Sequence, residues 1–273
     1  MFLPDPLIIL ELGLLGIGIG FIAGLLGIGG GMLMVPFLMY MLGQLGTPED
    51  ITLKMAIATA MSTIVFTSIS SVRAHHKMQA VRWDLVKGLA PGIVLGSLIS
   101  SVGVFSVLKG STLGYFFEAF VFFSATQLFI NKKPKPSRQM PETAGMMLAG
   151  SSIGFMSGLV GAGGGFISVP FMVWCNISIR NAVATSAALG FPIALANALG
   201  YIASGSTFQG RPEGSLGFIW IPGMVLIAMC SVLTAPIGVK VAHTLPVKQF
   251  SRIFAFFLYA LSIYMFYQTL TKT

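Results

Sequence analysis

The chain has 273 residues, of which 55% are hydrophobic and only 9% are charged, whereas an average soluble domain carries roughly 25% charged residues. The formal net charge is +8, but the basic residues lie in short loops between apolar runs. That pattern is typical of topology signals and argues against a nucleic-acid partner. Two cysteines are too few for a disulfide framework or a cysteine metal site. We therefore predict an all-α polytopic membrane protein in a lipid bilayer, with no metal and no cofactor.

Eight apolar runs follow one another along the chain: Leu7–Leu42, Ile51–Val72, Leu85–Leu108, Leu113–Ile130, Ala144–Cys175, Ala182–Ala203, Leu216–Val241 and Phe250–Leu270. No basic region typical of a signal peptide precedes the first run, so we expect it to be retained. The runs that start at Leu7 and Ala144 are too long for one crossing, since the first would reach roughly 54 Å as a single helix. The hydrocarbon layer is about 30 Å thick. We expect each of these two runs to form a bent pair of helices, the second piece being shorter or re-entrant.

A glycine-rich stretch lies inside each long run, and the two copies match. Positions 24–37 align with positions 158–171 at an offset of 134 residues, with nine of the fourteen residues identical. Ala56–Ala60 matches Ala182–Ser186, and Ala90–Leu95 matches Ile221–Leu226. Three matches in the same order indicate an internal duplication, which is typical of transporters built from two repeats. We predict a first transmembrane repeat at 1–131, a basic cytoplasmic linker at 132–142 and a second repeat at 143–273.

Loop charges predict the orientation, because an excess of Lys and Arg marks the cytoplasmic side. Twelve of the sixteen cations fall in four regions: Arg73–Lys87, Lys132–Arg138, Arg180 and Lys240–Arg252. If each bent pair returns to the side it left, these four regions share one side. The counterpart of the Arg73–Lys87 loop, Ser204–Gly214, then lies on the other side. The result is an inverted 5+5 repeat with broken or re-entrant helices at the glycine motifs and with both termini on the outer side of the membrane.

The glycine breaks are the first candidates for binding. A glycine run frees the backbone from helical geometry and allows other atoms to approach closely. The first N–H groups of the following helix carry partial positive charge, so they favour an anion without a buried cation. The candidate glycines are Gly29, Gly30, Gly31, Gly163, Gly164 and Gly165. The alternative is that they only permit tight helix packing.

Small polar side chains inside the apolar runs are the second set of candidates. Hydroxyl groups can donate to the oxygen of a small anion, and a buried amide requires hydrogen-bond partners. The candidate substrate-binding side chains are Thr59, Ser62, Thr63, Thr185, Ser186 and Asn197. For the hydroxyls, the alternative is a bond to a carbonyl one turn earlier in the same helix. For Asn197, the alternative is a contact that holds two helices together.

Two further candidates concern charge. Glu118 lies inside an apolar run, and an intramembrane carboxylate is costly, so we consider it a candidate for proton coupling. The alternative is that it lies close enough to the outer surface to reach water. Arg73, His75 and His76 could form a basic cytoplasmic entrance that concentrates an anion. Alternatively, they are topology signals in a solvated loop.

The doubled Gly-Leu-x-Gly-x-Gly-Gly-Gly…Val-Pro motif, the Ala-x-Ala-Thr segments and the tract Gly214–Pro222 resemble the TauE/SafE family of membrane transporters. The resemblance covers essentially the whole chain. It implies export of sulfite or of small organosulfonates such as sulfoacetate from bacteria, through the inner membrane.

We therefore expect a secondary transporter that exports a small anion by alternating access, with proton coupling as an option. The absence of a Gly-x-x-x-x-Gly-Lys-Ser/Thr motif argues against direct use of ATP. Isolated acidic residues, rather than a converging set, argue against an enzyme. The alternatives are a passive anion channel or a transporter of another small anion, and the sequence is compatible with a homo-oligomer.

Overall fold

The computed structural model describes residues 6–27, 29–130, 138–244 and 247–272. In these ranges the chain forms ten main helices: α1 (Pro6–Leu26), α2 (Gly31–Gln44), α3 (Glu49–Lys77), α4 (Trp83–Val107), α5 (Gly110–Ile130), α6 (Thr143–Val160), α7 (Gly165–Trp174), α8 (Ile179–Gly205), α9 (Ile221–Thr244) and α10 (Val247–Lys272). The end of α4 includes a π-helical stretch at Ile99–Val104. Two short antiparallel strands, β1 (Ser215–Leu216) and β2 (Ile219–Trp220), form a hairpin before α9. Most of the expected basic linker at 132–142 lies outside the described residues.

The helical architecture suits a membrane. Lipid offers no water to pair with backbone N–H and C=O groups, and a helix pairs these groups within its own segment. By length and composition, seven helices of the described chain can each span a membrane: α1, α3, α4, α5, α6, α8 and α9. In contrast, α2 and α7 have 14 and 10 residues, or about 21 and 15 Å, and are too short to cross about 30 Å of hydrocarbon. The expectation of an all-α polytopic membrane protein is confirmed.

Both long apolar runs are interrupted at their glycine-rich stretches. The helix α1 ends at Leu26 and α2 begins at Gly31, while α6 ends at Val160 and α7 begins at Gly165. Positive φ angles occur in both glycine-rich stretches, including 68° at Gly30 in the first and 79° at Gly164 in the second. Side chains other than glycine rarely adopt this conformation, which explains why each helix is interrupted at these positions.

The two halves are interleaved, because the first helix of each half packs along the fourth helix of the other. Both pairs are parallel, and glycines allow their backbones to approach closely. In the first pair, Gly16, Gly20 and Gly24 of α1 contact, in the same order, Ile227, Ser231 and Ala235 of α9. In the second pair, Gly92 and Gly96 of α4 contact, in the same order, Met147 and Ser151 of α6.

The helices α3 and α8 lie at the centre of the molecule. In each of these two helices, 72% of an apolar 18-residue stretch is buried inside the protein. The corresponding share is 33–44% in the other five long helices. They run antiparallel, since Ser68 lies beside Gly190 while Arg180 donates to the carbonyl of Met78. The pair α5 and α10 is also antiparallel, with Tyr259 donating to Thr126 at 2.9 Å and Ser262 contacting Glu118.

The two ends of the bundle differ in charge. We call the end at which α3 finishes and α8 begins the basic face, because Arg73, Lys77, Arg82 and Arg180 gather there. The end of α7 lies at the same face as the start of α6, since the Arg138 amide donates to the carbonyl of Trp174 at 3.4 Å. At the other end, which we call the opposite face, the start of α3 lies near Gly110 and Gly210.

Candidate functional site

The two glycine breaks touch each other near the middle of the molecule. A β-carbon placed on Gly29 would lie 3.0 Å from the Cα atom of Gly163. A β-carbon placed on Gly31 would overlap the carbonyl oxygen of Gly161. Such a close approach of two backbones requires residues without side chains. The duplicated glycine motif therefore forms one contact between the two halves.

A narrow cavity lies beside this contact, with about 260 Å³ of space including the open solvent at its mouth. It is lined by parts of α1, both breaks, α3 and α8: Ala23, Gly27, Gly29, Ile64, Thr67, Ser68, Ser71, Gly163, Ser186, Ala187 and Gly190. The lining residues of α3 lie in its second half and those of α8 in its first half. The cavity therefore lies between the breaks and the basic face.

Hydroxyl groups supply most of the polarity of the cavity wall. Ser186 Oγ donates to the carbonyl of Gly27 at 3.1 Å and accepts from Ser168 at 2.8 Å. Thr67 Oγ1 and Ser231 Oγ are 2.6 Å apart. Ser71 Oγ is buried without a hydrogen-bond partner among the described residues. Because an unsatisfied buried hydroxyl costs about 1–3 kcal/mol, Ser71 is suited to bind a polar molecule in the cavity.

The electrostatics of the cavity favour negative charge. Gly29 and Gly163 line it, and α2 and α7 each begin two residues further along the chain. The first amides of a helix have no intrahelical acceptor and carry partial positive charge. No lining residue in the described chain is acidic. The α2 helix runs from its break to the opposite face, so its first amides point toward the cavity, where they join the neutral hydroxyl donors. In contrast, α7 runs from its break to the basic face, so its first amides point away from the cavity.

The six candidate glycines occupy three kinds of position. Gly29 and Gly163 line the cavity. Gly30 and Gly164 are the N-cap residues of α2 and α7. The remaining two, Gly31 and Gly165, are the first residues of these helices. The glycines thus shape the breaks together, but only one from each half faces the cavity.

Thr59 and Thr185 do not line the cavity, and their hydroxyl groups make equivalent contacts. Thr59 Oγ1 accepts from the Trp220 amide at 3.0 Å, and Thr185 Oγ1 accepts from the Arg82 amide at 3.1 Å. Each of these amides lies immediately before a fourth helix, α9 or α4. Each threonine therefore holds the start of the fourth helix that belongs to the other half.

The other predicted hydroxyls and the amide differ in their contacts. Ser186 lines the cavity. In contrast, Ser62 and Thr63 donate to the carbonyls of Ala58 and Thr59, one turn earlier in α3. These bonds match the alternative considered for hydroxyls in the sequence. Asn197 Nδ2 donates to the carbonyl of Ile193 at 2.9 Å, and Asn197 lies outside the cavity wall.

Glu118 lies between α5 and α10, away from the cavity wall. It is 4% exposed, so the alternative of a carboxylate that reaches water at the outer surface does not describe it. Its backbone carbonyl accepts from Ser262 Oγ at 3.3 Å. Any coupling between Glu118 and the cavity therefore has to pass through the packing of α5 against the central helices.

The three residues of the predicted cytoplasmic entrance divide into exposed and buried positions. Arg73 and His76 are exposed at the basic face, and His76 Nδ1 accepts from Trp83 at 3.2 Å. In contrast, His75 is 1% exposed, and its ring lies against His243, with 3.3 Å between the two nitrogens. Since His75 follows Ser71 by one helical turn, the histidine pair lies between the cavity and the basic face.

Three polar residues of the cavity wall were not selected from the sequence: Thr67, Ser68 and Ser71. A signal for two of them was present, because Thr59, Thr63, Thr67, Ser71 and His75 follow one another at intervals of four residues. Such spacing places side chains along one face of a helix. Continuing the face beyond Thr63 would have identified both Thr67 and Ser71.

A buried lysine was also missed. Lys54 is 4% exposed, although it lies in the first turns of α3 near the opposite face. Its Nζ donates to the Ser106 carbonyl at 3.1 Å and lies 5.2 Å from the ring centre of Phe208. A cation–π contact of this kind stabilises a desolvated ammonium group. These contacts tie α3 to the end of α4 and to the loop that precedes the β-hairpin.

Comparison with known proteins gives concordant results. The family model described as "Sulfite exporter TauE/SafE" matches residues 12–265. A probable membrane transporter protein of Haemophilus influenzae is 34% identical, and the alignment covers 93% of this chain and 96% of that protein. A probable membrane transporter protein of Methanocaldococcus jannaschii is 26% identical, with 89% and 88% covered. No solved structure matches the chain.

Proposed function

Since the chain belongs to the TauE/SafE family of sulfite exporters, we propose that it is a secondary transporter that exports sulfite or a small organosulfonate such as sulfoacetate. The observation that carries this proposal is the contact of the two glycine breaks beside a cavity with hydroxyl donors, in which none of the described wall residues is acidic. In transporters of this general kind, broken helices form the substrate site near the middle of the membrane. We place the protein in the inner membrane of bacteria.

The cavity wall supports a small oxyanion as the cargo. Sulfite and sulfonate groups carry several oxygens around one sulfur atom, so they accept hydrogen bonds from several directions. Ser71 has an unused donor, and the start of α2 adds positive potential. A fixed positive charge in the wall would bind the anion more tightly and slow its release. Other small oxyanions satisfy the same donors and are the alternative cargo.

We propose that the two halves form an inverted 5+5 repeat, which gives two related conformations open to opposite sides. Two observations support this interpretation. The first helix of each half packs along the fourth helix of the other half, and α3 and α8 run antiparallel. The basic face is then cytoplasmic and both termini are periplasmic. At the cytoplasmic side, the exposed Arg73 and His76 lie at the entrance for the anion, and the buried His75 lies between this entrance and the cavity.

This topology predicts that single cysteines at Lys77 and Thr207 react from opposite sides of the membrane. The expected result is that a membrane-impermeant maleimide labels Thr207→Cys in intact spheroplasts and labels Lys77→Cys only after permeabilisation. A chain without Cys175 and Cys230 provides the background. Labelling of both positions from the same side would contradict the inverted repeat.

A carrier and a passive pore differ in how flux responds to a second pool of substrate. We predict that sulfite flux in proteoliposomes saturates with concentration and that external tracer sulfite enters faster when unlabelled sulfite is loaded inside. Alternating access produces this stimulation because a carrier loaded with unlabelled sulfite returns to the outer side faster than an empty carrier. Flux that rises linearly and lacks counterflow would favour the anion channel instead.

Glu118 is our candidate for proton coupling, in which a buried carboxylate takes up and releases a proton as access alternates. We expect Glu118→Gln to flatten the pH dependence of sulfite flux while the protein still inserts into membranes. The matched control is Glu11→Gln, because Glu11 is exposed on α1 and should retain the wild-type profile. An unchanged pH profile in Glu118→Gln would remove Glu118 from the coupling mechanism.

A further inference from the structure

A second group of polar side chains lies on the other side of the glycine breaks, toward the opposite face. Its four members are each at most 1% exposed, and each has a side-chain oxygen without a hydrogen-bond partner among the described residues. They come from three helices, α4, α6 and α8: Ser97, Ser100, Ser157 and Asn197. We call these four residues the outer cluster. Buried polar groups without partners are uncommon in folded proteins, so four of them in one place require an explanation.

The outer cluster surrounds two glycines at the end of α6. A β-carbon placed on Gly158 would overlap Asn197 Oδ1 and would lie 2.6 Å from Ser100 Oγ. A β-carbon placed on Gly154 would lie 2.8 Å from Ser97 Oγ. Ser157 lies between Gly154 and Gly158 in the sequence of α6. Its Oγ lies 3.4 Å from a β-carbon placed on Gly164 in the second break. The cluster therefore reaches the break from the side that faces away from the cavity.

Only one end of the Asn197 amide is in use. Its Nδ2 group donates to the carbonyl of Ile193, and since a carbonyl can only accept, the nitrogen must lie on that side. Oδ1 is therefore left as the acceptor in the cluster. One helical turn further along α8, the hydroxyl of Tyr201 donates to the carbonyl of Gly158, and this bond closes the cluster toward the opposite face.

The internal duplication relates the outer cluster to the cavity. The matching segments of the third helices place Asn197 at the position of Ser71, and Tyr201 at that of His75. The glycine motifs likewise place Ser157 at the position of Ala23, and the fourth helices place Ser100 at that of Ser231. Ser71 and Ala23 line the cavity, and Ser231 contacts its wall residue Thr67. The outer cluster thus occupies in the second half the place that the cavity occupies in the first.

We propose that the outer cluster is a second anion subsite, which holds the substrate when the transporter opens to the opposite face. This inference rests on the proposed function. The chemistry points to a small oxyanion that still carries one proton, such as hydrogen sulfite. Three serine hydroxyls donate to its bare oxygens, while its own O–H donates to Asn197 Oδ1. A fully deprotonated anion would leave Oδ1 facing negative charge, so the cluster disfavours it.

The test is the double variant Ser100→Ala/Ser157→Ala, together with both single variants. Because these hydroxyls have no partner in this conformation, their removal should leave the melting temperature unchanged or slightly raised. We expect sulfite efflux from proteoliposomes to fall about thirtyfold in the double variant, from the loss of two hydrogen bonds of about 1 kcal/mol each. The matched control is Ser152→Ala, since Ser152 is exposed on α6 and only bonds to Leu148 in its own helix.

The outcomes separate this inference from the proposed function. Wild-type efflux in a stable double variant, or in both single variants, would overturn the outer subsite while leaving the transporter proposal intact. Failure of wild-type protein to move sulfite or sulfoacetate would instead overturn the proposed function. A melting temperature that falls in step with efflux in both single variants would show that the serines are structural, and would also overturn the subsite.

Discussion

Gly31→Ala is expected to reduce transport about tenfold or more, although it adds only one methyl group. The new β-carbon would overlap the carbonyl oxygen of Gly161, and a backbone atom cannot move aside as a flexible side chain can. Overpacking of this kind costs about 1–3 kcal/mol or more. Gly31 does not have a positive φ, so backbone strain adds nothing and the effect reports the contact of the two breaks. Tracer efflux from proteoliposomes measures it.

The control for this prediction lies in the same helix. Gly43 is exposed near the end of α2, and a β-carbon placed there meets nothing within 4 Å. Gly43→Ala should therefore transport at the wild-type rate with an unchanged melting temperature. Equal flux in Gly31→Ala and Gly43→Ala would show that transport does not depend on the contact between the breaks.

Ala187→Leu is expected to abolish transport by filling the cavity. Ala187 is buried in the first half of α8 and lines the cavity between the breaks and the basic face. Three additional carbon atoms occupy space that the anion needs and bring apolar surface to the hydroxyl groups. Because Ala187 lines the cavity, we expect the added side chain to fill it while most of the protein remains folded. Flux should therefore be lost while the melting temperature stays close to that of the wild type.

The matched control is Ala119→Leu, the same substitution at an exposed position on α5. This variant should retain wild-type flux, because the leucine points away from the helix contacts. If Ala187→Leu also retained wild-type flux, the cavity would not lie on the transport route. A loss of flux in both variants would indicate a general effect of added bulk on insertion instead.

The helices and their interruptions could be predicted from the sequence because both depend on local properties. Long apolar runs form helices in lipid. A run of three glycines interrupts a helix because glycine readily adopts positive φ angles. The pairing of α1 with α9 could not be derived in the same way. It depends on which glycine faces meet across the bundle, and Gly16, Gly20 and Gly24 form such a face only once the partner is known.

The candidate site was only partly accessible for the same reason. Gly29, Gly163 and Ser186 line the cavity, and all three were selected from repeated motifs. Thr59 and Thr185 were selected on the same grounds, yet their hydroxyls accept from amides of Trp220 and Arg82, which lie more than a hundred residues away in sequence. Repetition identifies positions that matter to both halves, but it cannot distinguish a binding residue from one that holds a helix in place.

The most direct measurement is the melting temperature of the purified protein as sulfite is added. A ligand that binds the folded state raises the apparent stability as its concentration passes the dissociation constant. We predict that sulfite raises the melting temperature of the wild type and of Ala119→Leu in a saturable manner, and that Ala187→Leu shows no rise. An equal rise in Ala187→Leu would place the anion elsewhere and contradict a shared binding cavity at the meeting point of the two glycine breaks.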